Sequence, residues 1–360
     1  MCAEVGPSRR VENLAAARRA NVIDATGRVV IPGFVDCHVH PFSATPWSGQ
    51  GDVTARELLS VTWKRHAARV RTLIQTMIRH GTTAAQLLTT GSHDPRVESK
   101  VQRVFLALQD EPLSLSEALL VELRSSASPD TLESVLRRYS MGREAPAVVF
   151  TWNSEELAPE ELYRQLRLAS NIGVSYRLHA RGVGADTAIR AAAEVPVVEI
   201  SHLEQASAAL AGELAATGAI ATLTPGSYFC DKGRSAAARA FIQAGVPVAL
   251  ASGYRPGTGG SLNMQTAVAM AGAVLGMSPE EALTAATFNA ACVAGFAATS
   301  GSLEIGKSAD LLILNISDYR ELSRHLGLNL VHSTLRRGEI VYREGIVARG
   351  PAVNEAGLEA

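Results

Sequence analysis

The sequence predicts an α/β fold, a (β/α)8 TIM-like barrel with a small β-sandwich built from both termini. Eight short apolar runs of strand length alternate, for the most part, with longer stretches of helical periodicity. Segments near both ends of the chain are strand-like and carry glycine turns. We therefore assign residues 1–33 and 300–350 to the β-sandwich and residues 34–299 to the barrel.

Each predicted barrel strand is an apolar run, and the eight runs are residues 34–38, 83–89, 118–123, 147–152, 174–179, 197–202, 219–223 and 248–252. The third run is the least regular, because residues 114–126 fit a helix as well as a strand. Helix-like stretches lie at residues 55–80, 159–172, 185–194, 207–217 and 233–245. Residues 277–298 predict a helix pair that packs outside the barrel.

Composition excludes several classes of function. The chain has 360 residues, is 47% apolar and carries a formal net charge of -1, which argues against binding to nucleic acid or to a membrane surface. No apolar run has membrane-spanning length, and the first residues lack the core of a signal peptide. The four cysteines are scattered without CxxC pairs, which fits a reducing cytoplasm. We therefore expect a cytoplasmic protein.

Four histidines fall at the ends of predicted strands. His38 and His40 end the run VIPGFVDCHVH, and alternate residues of a strand lie on one face, so both rings can bind one metal ion. His179 and His202 close the fifth and sixth predicted strands. Chemistry on such barrels lies at the carboxyl ends of the strands. A single histidine in a barrel is more often a hydrogen-bonded core residue, but four at one mouth predict a shared site.

Several segments together resemble the amidohydrolase superfamily of metal-dependent hydrolases. They are VIDATGRVVIPGFVDCHVH (22–40), HGTTAAQ (80–86), LHA (178–180), SHLEQ (201–205), TFNAA (287–291) and GSLEIGKSADLLIL (301–314). The runs ATLTPGSYF (221–229), GVPVALASGYRPGTGGSLNMQTAVAMA (245–271) and MSPEEALTAATFNAA (277–291) are similar to imidazolonepropionase-like proteins in order and spacing. This resemblance implies a barrel enzyme that hydrolyses a carbon–nitrogen bond, and a homodimer. The N-terminus is shorter than is usual in that family, so we expect a truncated β-sandwich.

Carried over position by position, the resemblance implies that His38, His40 and His179 bind one divalent metal, zinc first and iron or manganese as alternatives. His202 matches a histidine that assists catalysis. The fourth ligand of the family is an aspartate after the last barrel strand, and Gly253 takes its place in ASGYRPG. The resemblance therefore predicts a metal site with an altered ligand set.

The substrate-binding positions of the family are also changed. Gly182 replaces an acidic or amide residue, and Arg255 replaces an asparagine, whereas Gly257 and Thr258 are kept. Arg255 and Tyr254, at the predicted mouth, could hold a carboxylate or an oxyanion. We do not assign the imidazolonepropionase substrate to this chain.

A proton acceptor must replace the missing aspartate if the site hydrolyses its substrate. His202 can shuttle protons near pH 7, or become a fourth ligand. Glu204 lies two residues later and points the same way in an extended chain. It could act as a base, orient a ligand histidine, or be a solvated loop acid.

Three hypotheses follow. The first is a metal-dependent hydrolase acting on a C–N bond of a small cyclic amide or amidine-like molecule, with an altered active site. The second is a non-hydrolytic enzyme, such as an isomerase, cyclase or lyase, because Gly182 and Gly253 remove acids together. The third is a catalytically inactive binding homologue, because a fold alone does not imply a function.

Overall fold

A computed structural model describes residues 1–15, 17–42, 55–89, 94–123, 132–134, 136–137, 147–153, 157–172, 176–181, 184–230, 238–256 and 260–347. The strands, in chain order, are β1 (Val29–Pro32), β2 (Phe34–Val39), β3 (Thr82–Leu88), β4 (Ser114–Glu122), β5 (Ala147–Asn153), β6 (Tyr176–Arg181), β7 (Glu199–Ser201), β8 (Ile220–Leu223), β9 (Val248–Leu250), β10 (Leu311–Leu314), β11 (Val331–Arg336), β12 (Glu339–Arg343) and β13 (Ile346–Val347).

The barrel is built from β2 to β9. These eight strands form one sheet in the order of the sequence, and every neighbouring pair is parallel. The side-chain thiol of Cys37 on β2 and the carbonyl of Leu250 on β9 lie 3.9 Å apart, so the first and last strands adjoin. The predicted (β/α)8 barrel is confirmed, and the ambiguous third run is a strand of nine residues.

The helices are α1 (Ser8–Val11), α2 (Ala55–Ser60), α3 (Trp63–Arg79), α4 (Pro95–Leu106), α5 (Pro159–Ile172), α6 (Ala185–Glu194), α7 (Ala211–Thr217), α8 (Pro225–Cys230), α9 (Ala238–Gln243), α10 (Met264–Leu275), α11 (Pro279–Thr284) and α12 (Ala290–Ala294). The long helix predicted over residues 55–80 is wrong in one respect: it is two helices. The break falls at Thr62, whose side chain caps α3 by accepting a hydrogen bond from the Arg65 amide. Helix α10 has no separate polar face, because most of its residues are buried.

Residues 277–298 contain one helical run beneath the barrel and not the predicted pair of helices outside it. Helices α11 and α12 are joined by a π-helical turn, Ala285–Asn289, into one helical run. The Asn289 amide donates to the carbonyl of Val248, and the Ser116 hydroxyl donates to the carbonyl of Ala294. This run therefore packs against the amino-terminal halves of barrel strands. Small side chains make the close approach possible: the buried cluster there is Val35, Cys37, Ala84, Ala249, Ala251, Ala290, Ala291, Val293 and Ala294.

A second sheet joins the two ends of the chain. Its order is β1-β10-β11-β12-β13, all antiparallel, so a strand from the N-terminal region pairs with strands from the C-terminal region as predicted. The sheet packs on the barrel beside Gly81, where a Cβ atom would lie 2.7 Å from Leu312 Cδ1. Gly81 also has φ +92°, so glycine is required for both the contact and the backbone.

None of the helices in the described ranges combines the length and the apolar character needed to cross a membrane.

Candidate active site

The strand that carries the HxH pair is not regular. Asp36 pairs with Ala85 and Val39 pairs with Leu87, so three steps along β2 face two steps along β3. This irregularity changes the direction of the side chains. Cys37 packs in the apolar cluster at the base of the barrel, whereas His38 and His40 turn their rings toward each other at the carboxyl end of the strand.

The four histidine rings meet in one place. Nε2 of His38 lies 3.2 Å from Nε2 of His40 and 3.4 Å from Nε2 of His202. Ligand nitrogens of His38, His40 and His179 all lie within 4.8 Å of one another. The ring of His179 stacks on that of His202 at 4.1 Å between centroids. Three of the rings are buried, and the side chain of His202 is 24% exposed.

This donor set fits a divalent metal ion. Tetrahedral zinc with bonds of about 2.0–2.1 Å to imidazole separates its ligand nitrogens by about 3.3–3.4 Å. The separation of 3.2 Å between Nε2 of His38 and Nε2 of His40 lies close to that value, and the ligand nitrogens of His38, His40 and His179 all lie within 4.8 Å of one another. Neutral imidazole nitrogen suits zinc and iron. His38, His40 and His179 could therefore hold one ion, with His202 beside it.

His202 has an unusual backbone. It follows β7 directly and has φ 63° and ψ 41°, in the left-handed region. Such angles are uncommon outside glycine, although histidine adopts them more often than most residues. This conformation ends the strand and starts the short 3-10 turn Leu203–Gln205. Strain of this kind is concentrated at functional sites.

Glu204 is buried beside His202 and is not a solvated loop acid. Its Oε1 accepts hydrogen bonds from the amide of Thr224 at 2.6 Å and from the Thr224 hydroxyl at 2.8 Å. Its Oε2 lies 4.0 Å from His202 Nδ1, and the Thr224 oxygen lies 3.5 Å from the same nitrogen. Thr224 therefore stands between the imidazole and the carboxylate. Sequence reasoning missed Thr224, although it directly follows a predicted strand.

The end of β9 contributes backbone groups. Gly253 has φ +61° and brings no side chain. The Ser252 amide donates to Asp36 Oδ1 at 3.0 Å, and the Tyr254 carbonyl accepts from the His40 amide at 2.8 Å. These two bonds connect β9 to the strand that carries His38 and His40.

Asp36 is a second residue that sequence reasoning missed, although its spacing before the HxH pair was a usable signal. Its Oδ1 also accepts from the His38 amide at 3.4 Å, so one carboxylate holds the backbone of two strands. The side chain is fully buried, and burial raises the pKa of Asp36 to about 6.

The predicted substrate-binding residues are only partly placed. Tyr254 and Arg255 are half-buried just beyond Gly253. Burial raises the pKa of the Tyr254 hydroxyl. Gly182, Gly257 and Thr258 lie outside the described residues.

Three polar side chains, those of Gln86, Arg177 and Glu199, are buried inside the barrel. The Arg177 guanidinium donates to the Gln86 side chain. Arg177 and Glu199 are neighbours across β6 and β7, as the pairing of Leu178 with Ile200 requires. Burial raises the pKa of Glu199 to about 7, although the positive charge of Arg177 opposes the rise. None of these residues was expected from the sequence.

Comparisons with known proteins agree with this geometry. Residues 29–341 match the Amidohydrolase family. An imidazolonepropionase of Porphyromonas gingivalis is 32% identical over 350 residues, covering 89% of this chain and 82% of that protein.

Two solved structures share the fold. Guanine deaminase from Bradyrhizobium japonicum has a TM-score of 0.71 at 15% identity, covering 95% of this chain and 90% of that one. An adenosine deaminase from Xanthomonas campestris, solved with bound zinc, has a TM-score of 0.68 at 18% identity, covering 90% and 83%. With a family match across most of its length and a relative above 30% identity, this chain belongs to the amidohydrolase family.

Proposed function

We propose that this chain is a metal-dependent hydrolase that cleaves a C–N bond in a small cyclic amide or amidine-like molecule. One observation carries the proposal: four imidazole rings converge at one end of the barrel, with nitrogen separations of 3.2 and 3.4 Å. The relatives named imidazolonepropionase, guanine deaminase and adenosine deaminase support the bond class. The family membership supports a small-molecule substrate.

In this proposal His38, His40 and His179 hold the ion, and zinc is the first choice because three neutral imidazoles with an open position are a known zinc arrangement. The ion, when bound, supplies Lewis acidity and activates water at neutral pH. Burial of the three rings keeps bulk water from competing for their nitrogens.

His202 is the proposed proton carrier. Its Nδ1 faces the Thr224 oxygen, and the Thr224 hydroxyl donates to Glu204. This order places the His202 proton on Nδ1 and leaves Nε2 able to accept a proton from the reacting centre. Glu204 stabilises the imidazolium form from 4.0 Å. We therefore treat Glu204 and Thr224 as positioning residues and His202 as the catalytic one.

The substrate lies, in this proposal, toward the segment after β9. Arg255 and the hydroxyl of Tyr254 would hold a carboxylate or a developing oxyanion, with Gly257 and Thr258 as further candidates. Gly253 leaves space where the family has an acid, so a substrate larger in that direction fits the change.

The test combines metal content with activity. Protein grown with zinc, iron and manganese should carry about one ion per chain by elemental analysis. It should hydrolyse at least one member of a panel of hydantoins, imidazolones, dihydropyrimidines and aminopurines. His38→Ala should lose both the metal and the activity, whereas His325→Ala, a histidine outside the site, should keep both. Protein that takes up no metal and hydrolyses no panel member would refute the proposal.

A second candidate function is favoured by Gly253. Without an acid after β9, the pocket could run an isomerisation, cyclisation or elimination and protect its intermediate from water. Gly253→Asp separates the two, because aspartate tolerates φ +61° better than most residues. A large gain in hydrolysis supports the first function. An unchanged native reaction with no hydrolysis supports the second.

The division at residues 33 and 299, a cytoplasmic location and a homodimer remain predictions. Light scattering of the purified protein would test the dimer, with a mass of about 76 kDa expected from two chains of 38.0 kDa.

A further inference from the structure

A cavity of about 740 Å³ lies away from the histidines, toward the base of the barrel. Its walls come from the start of β4, the end of β11 and the chain just after α12. Phe105, Leu108 and Phe296 give it apolar walls. The volume falls within the range of small-molecule sites in proteins.

Two consecutive arginines, Arg336 and Arg337, line this cavity. Arg336 is half-buried, and its guanidinium makes only long contacts, 3.4 Å to the Ser114 hydroxyl and 3.4 Å to the Glu111 carbonyl. Neither Arg336 nor Arg337 has a carboxylate within 4.0 Å in the part of the chain that the structure describes. Burial and the neighbouring charge of Arg337 lower the pKa of Arg336, although the negative charge of Asp310 opposes the fall. A partly buried guanidinium that makes only long hydrogen bonds is costly, so it marks a place for an anion.

The acids of the cavity do not fill this role. Asp310 accepts from the hydroxyls of Ser300 and Ser308 and from the Arg337 amide, so its two oxygens are already bound. Glu117 accepts from the Gln102 side chain, and burial raises the pKa of Glu117 to about 7. Asp310 therefore keeps its negative charge, but its oxygens are held by these hydrogen bonds and do not contact the Arg336 guanidinium, and Glu117 is only partly ionised near neutral pH. The two guanidinium groups keep donors available.

We propose that this cavity is a second small-molecule site, which binds an organic anion with an apolar or aromatic body. The guanidinium groups of Arg336 and Arg337 bind the carboxylate, sulfonate or phosphate end, since arginine matches these groups in charge and geometry. Phe105, Leu108 and Phe296 pack on the body. Arg337 has φ 52°, held by its amide bond to Asp310, which fixes the turn that presents both arginines.

This site is separate from the proposed hydrolase site. The cavity lining includes none of the four histidines, and residues Ser114 and Leu115 lie at the amino-terminal end of β4, whereas the histidines lie at carboxyl ends. Binding here can therefore be measured whether or not the protein hydrolyses a C–N bond.

The test uses two fluorescent probes with the same ring system. 8-Anilinonaphthalene-1-sulfonate carries an anion, and N-phenyl-1-naphthylamine does not. The metal-loaded protein should bind the sulfonate at one site per chain and more tightly than the uncharged probe. The Arg336→Gln/Arg337→Gln variant should lose about tenfold or more in affinity for the sulfonate, as expected when hydrogen bonds to a charged group are removed. Its affinity for the uncharged probe should stay the same.

The control is Arg18→Gln/Arg19→Gln, which removes two consecutive arginines that are exposed and lie outside the cavity lining. It should leave both affinities unchanged. Thr299→Trp, at an exposed residue of the cavity wall, should block both probes. Benzoate should displace the sulfonate, and inorganic phosphate should displace it poorly because it lacks an apolar body. Equal sulfonate affinity in the wild type and the Arg336→Gln/Arg337→Gln variant, with thermal melts unchanged, would overturn the proposal.

Discussion

Strands β2 and β9 lie side by side at the mouth of the barrel, but they bring different atoms to it. β2 ends beside the imidazole rings of His38 and His40, whereas the chain after β9 passes through Gly253 and bonds to β2 through backbone groups of Ser252 and Tyr254. The bonds between the two strands use the Asp36 side chain and backbone atoms, so they do not depend on a side chain at residue 253. The geometry of His38 and His40 is therefore supported without an acidic side chain at residue 253. In this fold, the contacts that position the histidines are made by other residues than the one at position 253.

The largest effect should come from removing a histidine on the side opposite Gly253. His179→Ala removes a buried imidazole that we propose as a metal ligand, so we expect metal affinity to fall by more than about 100-fold, beyond the loss typical of an outer-shell partner. Calorimetry on metal-stripped protein measures this, with His332→Ala as the control. Unchanged affinity would mean that His179 only packs against His202.

The next effect should come from Glu199 on β7, which is buried in the barrel, whereas Ala249 on β9 lies in an apolar cluster. Burial raises the pKa of Glu199 from its ordinary 4.5 to about 7, so the folded protein favours the neutral acid. Its stabilising contribution is complete below about pH 4.5 and is lost as the pH rises through 7. Over this pH range the free energy of unfolding should fall by on the order of 3 kcal/mol because of Glu199.

Denaturant midpoints of the metal-free protein between pH 4 and 8 test this expectation. The fall in stability with rising pH should be smaller in Glu199→Gln than in the wild type. The exposed acid Glu213 provides the control, because Glu213→Gln should leave the slope unchanged. A slope that is the same in all three proteins would contradict the role of burial.

A smaller effect is expected at Glu204, which lies beside His202 and is not one of the proposed metal ligands. Glu204→Gln keeps the shape but removes the charge, so catalytic rate should fall by about 10- to 100-fold. Thr224→Val should produce a similar loss because it breaks the same chain of contacts. Steady-state kinetics with metal content measured in parallel would distinguish positioning from ligation. Loss of metal in Glu204→Gln would place it among the ligands instead.

The smallest effect should appear at the β9 end itself. Gly253 has φ +61°, and most residues lose roughly 1–2 kcal/mol in this conformation. Gly253→Val should therefore lower the free energy of unfolding more than Gly253→Asp does, because aspartate tolerates the left-handed region. Chemical denaturation compares the two. Equal losses would show that crowding, not backbone conformation, selects glycine.

The barrel and its histidines were accessible from sequence because they depend on local patterns. Strand-length apolar runs with period two predict strands, and the carboxyl ends of parallel strands share one edge. The predicted bounds of β3 and β6 are within two residues of the observed ones. The same pattern predicts that His38, His40, His179 and His202 lie at one mouth of the barrel.

Contacts between distant segments were not accessible. Thr224 meets Glu204 across two strand ends, and Asp36 meets Ser252 across the closing edge of the barrel. No local pattern reports such pairs. The irregularity in β2 also escaped notice, because it depends on pairing with β3 and not on the alternation within β2. The predicted position of the helical run over residues 277–298 is wrong, because an alanine-rich sequence pattern is the same for a helix beside the barrel and for a helix beneath it.

The pairing of β1 with β10 has a consequence for how the protein is made. Val29–Pro32 precede the barrel in sequence, whereas their partners at Leu311–Leu314 follow all eight barrel strands. β1 and β10 therefore cannot pair until the whole barrel has been synthesised, while the barrel strands can pair one after another as they appear. Contacts this remote in sequence form slowly, so we expect this sheet to form late in assembly.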